Sequence, residues 1–83
     1  MPHVTVHYFE RQLPREALDR LPDAIAYVIV DCLGADSDAV TVSMAPVPPA
    51  KWDAVLERAN AEGPFVRLPR YPTTAKITRI EEP

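Results

Sequence analysis

Cysteine is nearly absent from this chain, and the lone Cys32 rules out an internal disulfide. That usage points to a reducing compartment, and Cys32 sits in an apolar helical pattern that predicts a packed core thiol rather than a nucleophile. Only two glycines occur, Gly34 and Gly63, which excludes a glycine-rich phosphate loop. No apolar run is long enough to span a bilayer and no signal-peptide core is present, so a cytoplasmic protein without membrane contact is expected. Positive charge is also in deficit: nine basic against twelve acidic residues give a net charge of −3, which argues against nucleic acid as a partner. His3 and His7 share a strand face but lie roughly 13 Å apart along it, too far to chelate one ion. With no clustered cysteine or carboxylate ligands, no metal site is expected. No Ser–His–Asp arrangement is present either. The 83 residues support one domain, with a core over 2–62 and a tail over 63–83. A domain of this size buries only about 60–65% of its unfolded surface, so a partner subunit is a natural source of further stability.

Proline, by contrast, is abundant, with ten copies, and Pro2 directly follows Met1 at the head of an alternating segment. Once Met1 is removed, a step that a small second residue permits, the chain begins with a secondary amine at the end of a sheet. That amine is a ready proton acceptor.

Residues 3–9, HVTVHYF, alternate as a strand, with Val4, Val6 and Tyr8 on one face and His3, Thr5, His7 and Phe9 on the other. Pro14 suits a first helical position, and Leu18, Leu21, Ile25, Val28, Ile29 and Cys32 then recur as one apolar stripe ended by Gly34. Pro22 lies inside that helix at a cost of roughly 3 kcal/mol or a kink, and a bent helix is expected. Residues 39–45, AVTVSMA, read as a second strand. A strand, a long helix and another strand make a βαβ unit with parallel strands. After PVPP at 46–49, a second helix is predicted from Pro49 to about Ala61, stopped by Gly63–Pro64. Residues 74–80, TAKITRI, read as a short edge strand able to pair with another chain.

Parallel sheets need cover on both faces, and one crossover helix covers one. The other face is small and uncharged (Thr5, Thr41 and Ser43, with Ala39 and Ala45), which suits close approach by a second copy. A homo-oligomer is therefore expected. Charge is unevenly spread: Glu10 to Asp38 is acid-rich, whereas Lys51, Arg58, Arg67, Arg70, Lys76 and Arg79 lie in the later half. Such a basic tail fits an anionic small ligand or charge complementarity between subunits.

With strand, helix and parallel strand all following Pro2, the chain resembles the 4-oxalocrotonate tautomerase superfamily, whose βαβ subunits use an amino-terminal proline. The likeness covers PHVTVHYFER, the long helix and AVTVSMA. It continues through VPPAKWDAVLERANAEGPFVRLPRYP, which looks like the longer, dimeric subgroup active on phenylenolpyruvate. The resemblance implies an α/β fold with a single βαβ unit, a second short helix and an extended tail, its sheet completed by oligomerisation. A dimer is preferred over a hexamer, because the second helix and tail obstruct the packing of the shorter hexameric members. It also implies a cofactor-independent keto–enol isomerase acting on a small 2-oxo acid. Pro2 would be the general base and acid, its pKa lowered towards neutrality by an apolar pocket and nearby cations. Arg11 would bind the substrate carboxylate, and Trp52 would wall the pocket. Thr41 stands where 4-oxalocrotonate tautomerases carry a second arginine, which favours a monocarboxylate over a dicarboxylate substrate, with Lys51, Arg67 and Arg70 as possible substitutes. The alternatives are a non-catalytic oligomeric binding module of the same shape, and a hydratase or dehalogenase variant with Glu10 activating water.

Overall fold

The computed structural model describes residues 1–79. Its elements are β1 (His3–Phe9), α1 (Arg15–Leu33), a 3₁₀ turn (Ser37–Ala39), β2 (Thr41–Val47), a second 3₁₀ turn (Pro49–Lys51) and α2 (Trp52–Glu62). The chain falls into two compact units, Met1–Pro46 and Val47–Pro83.

In the first unit β1 and β2 form a two-stranded sheet. Their side chains pair at a constant offset: His3 Nδ1 lies 2.6 Å from Thr41 Oγ1, and the Ser43 hydroxyl donates to Thr5 Oγ1 at 3.1 Å. An offset that stays at 38 residues while both strands advance is the mark of a parallel pair, as the βαβ reading requires. The expected alternation of faces holds along β1, where Val4, Val6 and Tyr8 are half-buried and His3, Thr5, His7 and Phe9 are exposed. On β2, Val42 and Met44 are half-buried while Thr41 and Ser43 are exposed.

The second strand starts later and runs further than the expected 39–45. Asp36 caps the intervening turn, its Oδ1 accepting from the Asp38 N–H at 3.0 Å, so Ser37–Ala39 coil into 3₁₀ geometry before β2 can begin. At the other end β2 continues through Pro46, which the sequence placed in a turn. The Thr41 N–H points to β1, donating to the Pro2 carbonyl at 3.2 Å. By alternation, position 46 points away from β1, where a proline gives up no ladder bond.

Helix α1 runs through Pro22 without interruption from Arg15, with Pro14 as its N-cap rather than its first residue. Gly34 ends it as expected, in the left-handed region at φ 66° and with its N–H bonded to Val30 O at 3.0 Å. The apolar stripe is turned from its expected direction. Pro22, Ile25, Ala26, Ile29 and Val30 are half-buried, whereas Leu18, Leu21, Val28 and Cys32 are exposed. At 100° per residue the covered arc is shifted by roughly 80° towards Ala26 and Val30. Cys32 is thus a surface thiol and not the packed core residue expected.

The second unit is organised around α2. Asp53, Glu57 and Asn60, spaced four and three apart, occupy one helical face and hold the following segment. Thr74 Oγ1 donates to Asp53 Oδ2 at 2.6 Å, and the Lys76 N–H donates to Glu57 Oε2 at 3.1 Å. Buried Asn60 grips Thr78 from both sides, donating from Nδ2 to its carbonyl (2.6 Å) and accepting its N–H at Oδ1 (3.0 Å). This stapling holds the described part of the segment 74–80, expected to pair as an edge strand with another chain, against α2. Lys76 and Thr78 give backbone groups to α2 side chains, and the described part of the tail shows a single parallel bridge, Phe65 to Arg79. Ile80 lies outside the described residues. The buried hydrophobic residues, Val47 and Ala75, both belong to this unit, and no large side chain is fully buried among the described residues.

Two stability predictions follow from these contacts. Gly34→Ala forces a Cβ into left-handed backbone with open space around it, so the loss should be about 1 kcal/mol from strain alone in urea unfolding at fixed concentration. Asn60→Ala leaves the Thr78 N–H and carbonyl without their buried partner, and a larger loss of about 2 kcal/mol is expected in the same measurement.

Candidate active site

Pro2 is half-buried and immediately precedes β1. Its carbonyl is held by the Thr41 N–H at 3.2 Å, the first rung of the parallel ladder. Thr41 makes a second contact through its hydroxyl, 2.6 Å from the Nδ1 of His3. The position-2 backbone and the side chain next to it are therefore both tied to one residue of the neighbouring strand. Met1, by contrast, is fully exposed at 104% and nothing buries it.

The His3 ring anchors a polar network across the exposed sheet face. Its Nε2 lies 3.1 Å from Thr5 Oγ1 and 3.4 Å from Ser43 Oγ. The sequence places His3 and Thr41 on exposed sheet faces and marks Thr41 as standing where an arginine is expected, but it does not pair the two. The structure gives Thr41 a positive role: it fixes the strand end that carries Pro2. The signal was available in the pairing of two alternating strands, which sets residues 3 and 41 side by side once the register is known.

Arg11 lies two residues beyond the end of β1 and is exposed. Pro2 stands at the opposite end of that seven-residue strand. At about 3.3 Å per residue the two backbones are on the order of 20 Å apart, several times what an arginine side chain spans. One chain does not bring Pro2 and Arg11 together. Trp52, in the second unit, is the first residue of α2 and is half-buried. A hollow of about 470 Å³ flanks the first turns of α1 and is lined by Pro14, Glu16, Ala17, Arg20, Leu21 and Ala24. It holds none of the three candidate residues. No helix among the described residues is long and apolar enough to cross a membrane.

The βαβ unit, its parallel register and the proline at the head of β1 define the class, and comparison with known families agrees. Residues 2–55 match the family model described as tautomerase enzyme, and the chain belongs to that family. It is also similar to proteins named tautomerase PptA from two strains of Klebsiella pneumoniae. Each is 36% identical over 73 residues, covering 86% of this chain and 97% of the relative.

The register itself is testable. A double-mutant cycle with Thr5→Ala and Ser43→Ala should show a coupling of about 0.5 kcal/mol, the scale of a cross-strand polar pair. A coupling indistinguishable from zero would contradict the pairing.

Proposed function

We propose that this protein is a cofactor-independent tautomerase that interconverts the enol and keto forms of a small 2-oxo acid such as phenylenolpyruvate, with Pro2 as general base and acid after loss of Met1. The observation that carries this reading is the placement of Pro2 in a member of the tautomerase family, at the head of β1 with its carbonyl pinned by Thr41. A neutral prolyl amine takes the hydroxyl proton of the enol and the resulting ammonium returns a proton to C3, so the reaction balances with no redox partner. An apolar surrounding that disfavours the ammonium keeps the amine available near neutral pH.

Arg11 is the candidate for the substrate carboxylate, as a planar fork suited to bidentate contact. Its distance from Pro2 along β1 means that it serves this role from another copy of the chain, which makes the site a property of a homo-oligomer. Burial supports the same view. The apolar strip of Leu18, Leu21 and Val28 on α1 is 38–53% exposed, although its pattern is that of a covered helix face. Together with the open face of the sheet, it offers surface for a second copy, and a dimer is the assembly proposed. The resemblance assigns Trp52 to an apolar wall of the site, and Thr41 in place of a second arginine fits a monocarboxylate.

Three measurements test this reading. Intact mass should show the chain without Met1; a retained methionine leaves Pro2 an amide and removes the mechanism. Pro2→Ala should slow ketonisation of phenylenolpyruvate by about 10²–10⁴-fold, and equal rates for the two proteins would contradict the role of the proline. Mixing inactive Pro2→Ala and Arg11→Ala subunits should restore about a quarter of the wild-type sites, the yield expected when each site of a randomly mixed dimer takes one residue from each copy. No restoration after confirmed subunit exchange would show that Arg11 does not act across the interface.

A further inference from the structure

In the later part of the second unit three arginines line one hollow. Arg67, Arg70 and Arg79, with Val66 and Leu68, line a space of about 250 Å³. The Phe65–Arg79 bridge closes the intervening segment on itself and brings Arg79 to a cavity otherwise lined by residues 66–70. Among the described residues, none of the three guanidinium groups has a hydrogen bond or an ion pair. The stretch 65–79 holds four cations and not one carboxylate.

Two of the acids on α2 are engaged with the same stretch: Asp53 accepts the Thr74 hydroxyl and Glu57 accepts the Lys76 N–H. With the Asn60–Thr78 contacts, these bonds fix the segment between Thr74 and Thr78 to α2, next to Arg79 in sequence. The chain leading into Arg79 is therefore held in place before any ligand arrives. Three like charges around a small space repel one another, and an oxyanion that accepts their N–H groups relieves that repulsion while forming charge-assisted bonds.

We propose that this hollow is a binding site for a small dianion of the phosphomonoester or dicarboxylate class. Its capacity is about eight water volumes, which suits a metabolite-sized ligand rather than a polymer. Three cations favour a double negative charge over the single carboxylate of the proposed tautomerase substrate. The site owes nothing to Pro2, and its test does not depend on catalysis.

Arginine Nε–H resonances of the full-length protein, followed at constant ionic strength against inorganic phosphate, succinate and chloride, decide the matter. Saturable shifts of Arg67, Arg70 and Arg79 with phosphate or succinate, and none with chloride, are expected. A response to phosphate alone assigns the phosphomonoester class, and a response to succinate alone assigns the dicarboxylate class. The combined Arg67→Gln, Arg70→Gln and Arg79→Gln variant should weaken the apparent affinity by about tenfold or more, with the circular dichroism of α1 and α2 retained. Shifts that do not saturate, or an affinity unchanged in the triple variant, would overturn the proposal. If the triple variant does not fold, the wild-type titration still decides. Glu81 and Glu82 lie outside the described residues. Binding seen only in a Glu81→Gln, Glu82→Gln protein would also overturn the proposal, because the chain's own acids would then be the occupant.

Discussion

The hydrogen bond from the Thr41 N–H to the Pro2 carbonyl is the contact on which the other features depend. It opens the parallel ladder and so sets the register of β1 against β2. With a side-chain period of two, a slip by one residue would exchange the faces of β2 and move His3, Thr41, Thr5 and Ser43 out of mutual reach. The same bond fixes the backbone of the residue whose nitrogen is the proposed base. Register, surface chemistry and catalytic geometry thus share one origin at the start of the sheet.

A second constraint is the shortage of interior. A two-stranded parallel sheet with one crossover helix has one face to cover and one left over. Here the leftover face is lined by hydroxyls bonded to an imidazole, and much of the apolar surface of α1 faces outward. A polar face whose groups already satisfy one another can be dehydrated at lower cost than one with unpaired donors. That property suits an assembling subunit, and the proposed division of the active site between copies gives assembly a functional consequence as well as a stabilising one.

Much of the first unit was legible in the sequence because its signals are local. The alternation of 3–9 gave β1 its full span, and Gly34 marked the end of α1 through the left-handed backbone that glycine, unlike residues with a Cβ, adopts without penalty. The proline at the head of β1 was legible as a chemical group before any fold was known. What escaped depended on partners distant in sequence. Asp36 delayed β2 by capping a turn, and Pro46 stayed in the strand because its position faces the open edge. Cys32 lies on the flank of a stripe too wide for periodicity to say which part is covered. The hold of α2 on the tail was not legible, because the β-like pattern TAKITRI says nothing of Asp53, Glu57 and Asn60, whose spacing on α2 offers partners to its backbone and hydroxyl groups. The arginine-lined hollow was foreshadowed only as an excess of basic residues; which of them share a cavity is a tertiary fact.

The account is tested most directly at the nitrogen of residue 2. Nitrogen-15 labelling of Pro2, followed by NMR across the pH range beside the pH dependence of ketonisation, reports whether that nitrogen is a free amine and where it titrates. The account predicts a secondary amine that loses its proton near neutrality, at the same pH as the acid limb of the rate profile. A nitrogen that titrates as an ordinary exposed amine, or does not titrate because it remains in a peptide bond, would contradict it.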